Sequence, residues 1–276
     1  MSNLRIVSDN AVKRATLSAS SQAGSLTVDR LKASRKTSAW RSVGTTATLT
    51  VTLPTAESFD CVALPFCNLS STATMRIRGY ATTSATTPVF DTGHKACCPY
   101  SPFEALDWGA EPLGVNAFSY GAAACAVVWF PLGLAQKLVI DITDATNDSG
   151  YIEGSCLLAG LSWSPKVNMG WGASVAVQDT TKNERSESGN LRSDKGVSSR
   201  KLSFDLKFMD PNDRNRLWRI FLGNGMSVPS FISLYPESDD AFEEQIHQMY
   251  GKLSQQSKIA AQSFGTSQAP FEVEEI

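Results

Sequence analysis

The stretch RKLSFDLKFMDPNDRNRLWRIFLGNG, residues 200–225, carries the clearest structural pattern of this chain. At its start, polar and apolar side chains alternate strictly. The apolar positions are Leu202, Phe204, Leu206 and Phe208. Alternation of this kind is typical of a β-strand that buries one face and exposes the other. The pattern therefore predicts a strand whose buried face is formed by these apolar side chains.

A short helix is predicted directly after this strand. Asp210 can accept hydrogen bonds as an N-cap, and Pro211 is favourable at the first helical position. Apolar residues then follow at helical spacing: Leu217, Ile220 and Phe221. Gly223 or Gly225 can end the helix. With strand patterns on either side of this helix, residues 166–276 predict a small β-barrel or sheet that carries one short helix.

The first part of the chain contains many short strand patterns and no amphipathic helix between them. The segment TATLTVTLP, residues 46–54, alternates in the same way, whereas FDCVALPF, residues 59–66, is apolar almost throughout. Such strands predict an antiparallel β-sandwich in which the second segment is covered on both faces. Charged residues become frequent near Pro165, so we expect one domain over 1–165 and a second over 166–276. The fold class is therefore all-β.

Charge and hydropathy exclude several classes of function. The net charge of −2 and the pI of about 5.8 argue against a general nucleic-acid binder, which needs a basic surface. No apolar run approaches the roughly 20 residues that a membrane-spanning helix needs. The N-terminus, MSNLRIVSDN, lacks the hydrophobic region of a secretory signal, so we expect cytoplasmic folding and reduced thiols.

The cysteines offer one candidate metal site. The segment HKACC, residues 94–98, places His94, Cys97 and Cys98 close together. Zinc sites usually combine two separated pairs of ligands, which adjacent cysteines do not provide. We therefore expect free cysteines that pack as small apolar side chains, and neither a metal nor another cofactor.

The sequence contains none of the common catalytic motifs. His94 lies near Asp91, but no nucleophile accompanies the two residues. Glycosidase chemistry needs two carboxylates across a cleft, and the sequence does not pair its loop acids: Glu104, Asp107 and Glu111. A later acidic group predicts a solvated turn or a short helix: Asp239, Asp240, Glu243 and Glu244. We therefore expect a protein that is not an enzyme, with a glycan-degrading enzyme as the weakest alternative.

Residues 180–200, TTKNERSESGNLRSDKGVSSR, form a long charged segment with few apolar residues. This composition is typical of a solvated hairpin loop. The alternative is an arm that folds onto a neighbouring subunit when the two meet. The charged residues available for such a contact are Lys182, Arg185, Glu187, Arg192, Asp194 and Lys195.

Aromatic residues in and near the long loop between 88 and 120 provide candidate sugar contacts. Tyr100 and Trp108 could stack on the apolar face of a sugar ring while nearby polar groups bind its hydroxyls. The alternative is that such aromatics close the ends of the sandwich core. Trp40, which directly precedes a strand pattern, fits this alternative best.

The segments LTVDRLKASRKTSAWRS, ATLTVTL, FDCVALPFCNL and MRIRGYA follow one another in the first 81 residues. Together they resemble the opening of a discoidin-type, galactose-binding-like jelly roll. The segment LVIDITDATNDSGYIEGSCLLAGLSW is similar to the closing strands of that fold. The resemblance covers roughly residues 4–163 and implies that the first domain is a jelly-roll β-sandwich. Ligand residues vary within that family and are not carried over.

A second resemblance covers the whole chain. A jelly roll followed by this strand–helix–strand unit resembles structural proteins of tailed-bacteriophage tail tips. The matching positions are Gly196, Arg200, Leu202, Phe204, Leu206, Met209, Asp213, Leu217, Ile220, Gly225, Pro229, Phe231 and Pro236. In those proteins the unit forms a β-barrel that assembles into rings.

This second resemblance implies a structural component of a phage tail tip or baseplate. Its location would be the virion tail, after assembly in the cytoplasm of the bacterial host. Its partners would be other tail proteins and copies of itself in a ring, contacted through the C-terminal domain. The alternative function is a carbohydrate-binding adhesion module that attaches the virion to host surface glycans.

Overall fold

The computed structural model describes residues 3–98, 109, 125–255, 258–263 and 265–276. The chain is all-β apart from short helices, as the sequence predicts. It divides into two compact units. The first unit comprises Met1–Ser164 and Ser230–Gln248, and the second comprises Pro165–Pro229 and Met249–Ile276.

The elements are numbered in chain order. The first ten strands are β1 Arg5–Val7, β2 Thr16–Ala19, β3 Trp40–Arg41, β4 Thr46–Pro65, β5 Thr74–Tyr80, β6 Phe90–Asp91, β7 Lys95–Ala96, β8 Cys125–Thr143, β9 Glu153–Gly154 and β10 Leu158–Gly160. The others are β11 Ser174–Asp179, β12 Lys182–Arg185, β13 Leu191–Asp194, β14 Ser198–Met209, β15 Ser230–Ser233, β16 Gln248–Leu253, β17 Ala260–Ser263 and β18 Thr266–Glu275. Two α-helices are present in the described part, α1 Pro211–Asn224 and α2 Ala241–Ile246, with short 3₁₀ turns at Ala11–Arg14 and Val28–Lys32.

The first unit is a jelly-roll β-sandwich built around two long antiparallel strands, β4 and β8. β2 and β10 pair with β4, and β5 pairs with the other edge of β8. The alternating segment of β4 buries Leu49, Val51 and Leu53, as predicted. The apolar segment that follows is buried almost throughout, from Phe59 to Leu64, because both of its faces are covered. Register shifts at two points let these strands bend.

Trp40 belongs to the hydrophobic core of the first unit, which agrees with its predicted structural role. Its side chain is completely buried, and its Nε1 donates a hydrogen bond to the Ser21 carbonyl at 3.2 Å. A buried indole needs such an acceptor, because an unsatisfied N–H in the core is costly. Trp40 is therefore a structural residue.

The segment Ser230–Gln248 differs from the prediction, which placed it in the second domain. It belongs to the first unit. β15 pairs antiparallel with β1, with Ile232 opposite Ile6. Farther along, Gln245 Nε2 donates to the Cys125 carbonyl at 2.7 Å. An apolar strand pattern does not specify the sheet in which the strand pairs. The prediction therefore assigned this segment to the domain that is adjacent in sequence.

In the second unit, β14 lies between β11 and β18, and β16 and β17 pair with β18. The described strands form an open sheet, which decides between the barrel and the sheet that the sequence allowed. Helix α1 packs on one face through Leu217 and through Phe221, whose ring lies 5.4 Å from that of Phe271. The Asp210 side chain accepts from the Asp213 N–H at 2.8 Å, and Gly225 ends the helix, both as predicted.

Phe208 does not join the buried face of β14, contrary to the alternation pattern. The pairing of β14 with β18 shifts register between Leu206 and Met209. Phe208 adopts a positive φ of 59° and is 53% exposed, whereas Met209 is buried. A β-bulge inserts one extra residue, so the next side chain takes the inward position.

No helix in the described ranges is both long and apolar enough to span a membrane.

Candidate functional site

A cavity of about 350 Å³ opens in the first unit beside the turn that follows β15. We call it the Tyr235 pocket. Its lining residues are Tyr235, Pro236, Glu237, Ser238, Asp239, Asp240 and Glu243. The cavity therefore combines one aromatic ring with a hydroxyl group and four carboxylates.

Backbone and capping interactions hold the turn at both ends. The Leu234 N–H donates to the His247 carbonyl at 3.1 Å, which joins the start of the turn to the end of α2. The Asp240 side chain accepts from the backbone N–H groups of Phe242 and Glu243, at 2.9 and 3.2 Å, and so caps α2. The acidic group thus forms a turn and a short helix, as the sequence predicted.

The charges around the pocket are predominantly negative. Arg5 Nη2 contacts Glu237 Oε2 at 2.7 Å, which compensates one of the lining carboxylates. The Ser238 hydroxyl donates to Glu243 Oε2 at 3.3 Å. Burial, reinforced by the charge of Glu243, raises the pKa of Tyr235, so its phenol is neutral at physiological pH. The pocket is therefore rich in hydrogen-bond acceptors and carries an excess of negative charge.

Tyr235 itself is half-buried, and the edge of its ring meets His247 at a centroid distance of 5.0 Å. A ring fixed by such a contact can present a defined apolar surface to a ligand. This residue was not among the predicted site residues, because the aromatics considered for sugar contact all lie in or near the long loop. The signal that could have indicated it is the position of Tyr235 four residues before the acidic group that begins at Asp239.

The predicted sugar contacts Tyr100 and Trp108 lie outside the described residues. The loop acids Glu104, Asp107 and Glu111 lie outside them as well. The prediction that these aromatics bind glycan therefore stays a prediction.

The histidine and the two cysteines of the HKACC segment differ in solvent exposure. His94 is exposed, whereas Cys97 and Cys98 are buried. Within the described residues, no group of three or more His, Cys, Asp or Glu side chains could hold a metal ion. Cys98 instead shares a hydrogen bond with Cys67, which lowers the pKa of Cys67, while hydrogen bonding and burial raise that of Cys98.

The charged segment 180–200 forms an ordered hairpin. β12 pairs with β13, and Lys182 lies opposite Asp194 while Glu184 lies opposite Arg192. The predicted contact residues are all exposed: Lys182, Arg185, Glu187, Arg192, Asp194 and Lys195. Opposite charges at directly facing positions favour the pairing of these two strands. Contact of these residues with a neighbouring subunit stays a prediction.

The second unit also exposes large apolar side chains. Trp171 is fully exposed, and Trp218 on α1 is 54% exposed. Leu222, one helical turn after Trp218, is 71% exposed. Tryptophan and leucine at this spacing form a continuous apolar stripe on the outer face of α1. An exposed tryptophan and leucine this close together can form part of an interaction surface.

No family model and no curated protein matches this sequence. Among solved structures, chitosan-binding module 1 from a Paenibacillus chitosanase/glucanase is 15% identical, with a TM-score of 0.36, and the match covers 55% of this chain and 98% of that one. A fucose-binding module of Streptococcus pneumoniae, SpX-3, is 11% identical, with a TM-score of 0.36 and the same coverage of 55% and 98%. A Ruminococcus gnavus GH29 fucosidase is 11% identical, with a TM-score of 0.39, and the match covers 56% of this chain and only 27% of the fucosidase. These likenesses concern the fold alone.

Proposed function

We propose that this chain is a non-catalytic binding protein whose first unit holds a sugar in the Tyr235 pocket. The observation that carries the proposal is the composition of the cavity, in which a tyrosine ring, a serine hydroxyl and four carboxylates surround about 350 Å³. A sugar ring has an apolar face that stacks on an aromatic side chain and hydroxyl groups that donate to carboxylates.

The excess of negative charge in the pocket limits which sugars can bind there. Acidic sugars would meet the carboxylates of Glu237, Asp239 and Glu243, and like charges in a partly enclosed site repel one another. Neutral sugars can donate hydroxyl hydrogen bonds to the same groups. Amino sugars add an ammonium group, which forms stronger, charge-assisted hydrogen bonds. We therefore expect neutral and amino sugars to bind, and acidic sugars to be rejected.

Retention on an array of neutral, amino and acidic glycans tests this proposal. Tyr235→Ala should weaken binding about tenfold or more, which corresponds to roughly 1.4 kcal/mol. Tyr151→Ala provides a matched control, since Tyr151 is a tyrosine of the same unit that does not line the pocket. Wild-type protein that binds no glycan, or a Tyr235→Ala variant that binds as tightly as wild type, would contradict the proposal.

The second candidate function is assembly with other proteins through the second unit. The exposed Trp171, Trp218 and Leu222 favour it, because buried aromatic side chains dominate the energetics of protein interfaces. A phage tail-tip or baseplate subunit in the virion is the specific form of this candidate, and it rests on the sequence resemblance over residues 196–236. Mass spectrometry of purified virions tests it, and absence of the chain from virions would exclude that form.

A glycan-degrading enzyme is the outcome that would overturn the non-catalytic part of the proposal. Incubation with host polysaccharide should release no new reducing ends. Release that requires Asp239 or Glu243 would instead assign the pocket to catalysis.

A further inference from the structure

We propose that two copies of this chain pair through β11, antiparallel and about a two-fold axis at Val177, so that their two sheets become continuous. The proposal rests on the assembly role proposed above for the second unit and names the partner as a second copy. The evidence for it is the position, backbone direction and composition of β11.

β11 lies at the edge of the sheet in the described part of the second unit. The order of strands ends at β11, which pairs with β14 from Ser174 opposite Ser203 to Asp179 opposite Ser198. An edge strand has a second row of backbone donors and acceptors that another strand can pair with. The free edge of β11 is therefore a template for strand addition.

The residues that face the free edge follow from one hydrogen bond. The Thr180 N–H donates to the Val197 carbonyl at 3.2 Å, so the backbone of Thr180 points toward the β14 side. Backbone groups of successive residues in an antiparallel strand point to opposite edges. Val175, Val177 and Asp179 therefore direct their N–H and carbonyl groups outward, toward an incoming strand.

The composition of β11 lacks the features that normally protect an edge. Its sequence, SVAVQD, contains no proline and no lysine, and its one charge is Asp179 at the end. Natural edge strands usually carry Lys, Pro or inward charges that discourage pairing with another chain. Val177 is instead 71% exposed. An uncharged, apolar edge of this kind favours pairing.

The buried face of the sheet also extends to this edge. Val175 lies opposite Leu202, which is completely buried, so Val175 and Val177 share the face that α1 covers farther in. Strand addition at β11 would cover Val177 with another apolar side chain. The apolar area removed from water would stabilise the pair in addition to the new backbone hydrogen bonds.

The edge is complementary to a second copy of itself. When Val177 faces Val177 of the other copy, Val175 faces Asp179. The two Asp179 carboxylates then lie four residues apart along the strands, about 13 Å at 3.3 Å per residue. That separation exceeds the screening length of about 10 Å at moderate salt. Two copies can therefore pair without repulsion between their only β11 charges.

Sedimentation velocity over a range of concentrations tests the inference. Wild type should reach twice its monomer mass of 29.8 kDa as the concentration rises. Val177→Pro removes an outward N–H that makes no bond within the subunit, and Val177→Lys places two like charges together at the axis. Both variants should sediment as monomers. Ser188→Lys, at the exposed tip of the β12–β13 hairpin, adds the same charge as Val177→Lys and should associate like wild type.

Cross-linking provides the second measurement. Directly opposed residues of an antiparallel pair have Cα atoms about 4.5–5.5 Å apart, within the range that a disulfide spans. Val177→Cys should therefore form a covalent dimer when a mild oxidant removes two protons and two electrons from the paired thiols. Val197→Cys, at a residue that is 76% exposed but lies outside β11, should not.

Two outcomes would overturn the inference. The first is a wild type that keeps its monomer mass at every concentration. The second is a wild type that associates while Val177→Pro and Val177→Lys associate equally well. In that second case the chain would still associate, but through a surface other than the edge of β11. Circular dichroism spectra matching wild type must accompany each monomeric variant, and Val177→Lys decides the question if Val177→Pro fails to fold.

Discussion

The ring of Phe90 lies directly against the backbone of Gly79. A β-carbon built on Gly79 would be 2.1 Å from Phe90 Cε1, and one on Gly133 would be 2.4 Å from Cδ1 of the same ring. The ring also stacks on Phe130 at a centroid distance of 5.3 Å. Phe90 therefore spans the paired strands β5 and β8 at two glycines, where any larger residue would displace it.

Substitution of Gly79 by alanine should destabilise the protein because the new methyl group occupies the place of the Phe90 ring. We expect a loss of about 1–3 kcal/mol in the free energy of unfolding, the usual cost of overpacking. Gly223→Ala is the matched control, since a β-carbon added to Gly223 in α1 would have open space for 4 Å around it. It should raise stability by about 0.5–1 kcal/mol, because alanine favours the helix. Urea unfolding measures both changes.

The bulge in β14 predicts opposite sensitivities for two neighbouring residues. Met209→Ala should cost about 2–5 kcal/mol, because it leaves a cavity in the core. Phe208→Ala should cost much less, since the ring is 53% exposed. Chemical denaturation of the two variants measures the difference. Equal losses would contradict the register shift between Leu206 and Met209.

Glu244 should make stability depend on pH. Burial raises its pKa in the folded protein, so the folded state holds its proton more tightly than the unfolded state, whose glutamate pKa is about 4.3. The contribution of Glu244 to the free energy of unfolding is fully present below this unfolded-state pKa. It is lost as the pH rises through the raised pKa of the folded state. Glu244→Gln keeps an acceptor for the Glu237 N–H, which donates to Glu244 Oε1 at 3.1 Å.

Unfolding free energies of wild type and Glu244→Gln should therefore converge at acidic pH. At neutral pH the glutamine variant should be the more stable of the two. A constant difference across the acidic-to-neutral range would show that the carboxyl of Glu244 titrates normally.

Asp91 should remain ionised to unusually low pH. The Arg76 guanidinium, whose Nε donates to Asp91 Oδ1 at 2.9 Å, lowers the pKa of that carboxyl to about 2. In Arg76→Gln, an NMR titration should find the pKa near the ordinary value of about 3.9. Arg78→Gln is the control, because Arg78 pairs with Asp141 and should change the Asp91 pKa much less.

Stability from this pair is present above the unfolded pKa of about 3.9 and is lost as pH falls toward about 2. Solvent screens the pair, so its contribution to the free energy of unfolding should be small. An unchanged Asp91 pKa in Arg76→Gln would contradict the ion pair.

Local patterns predicted the elements that local forces determine. The cap at Asp210 and the end at Gly225 follow from backbone groups that neighbouring residues must satisfy. The alternation in β4 follows from its one-sided burial before Pro54. The prediction that Phe208 is buried failed for a non-local reason. A bulge depends on how β18 pairs with β14 and not on the sequence of β14 alone.

The candidate site was harder to predict, although its lining residues all come from the stretch 235–243, because no periodic pattern in the sequence marks a turn that encloses a cavity. Tyr235 and Glu243 are eight residues apart in sequence and line one cavity because α2 folds back beside the turn. Arg5, which compensates Glu237, comes from the other end of the chain. Hydropathy placed β15 in a sheet but carried no information about its pairing with β1.

The first unit is built from two segments that are separate in sequence, and this sets the order in which its parts can fold during synthesis. Its closing segment, Ser230–Gln248, leaves the ribosome only after Pro165–Pro229 has emerged. Until then β1 lacks its partner strand β15, and the turn that contains Tyr235 has not been synthesised. A nascent chain halted at Ser164 would consequently hold an unfinished first unit, and the Tyr235 pocket is among the last features to be completed during translation.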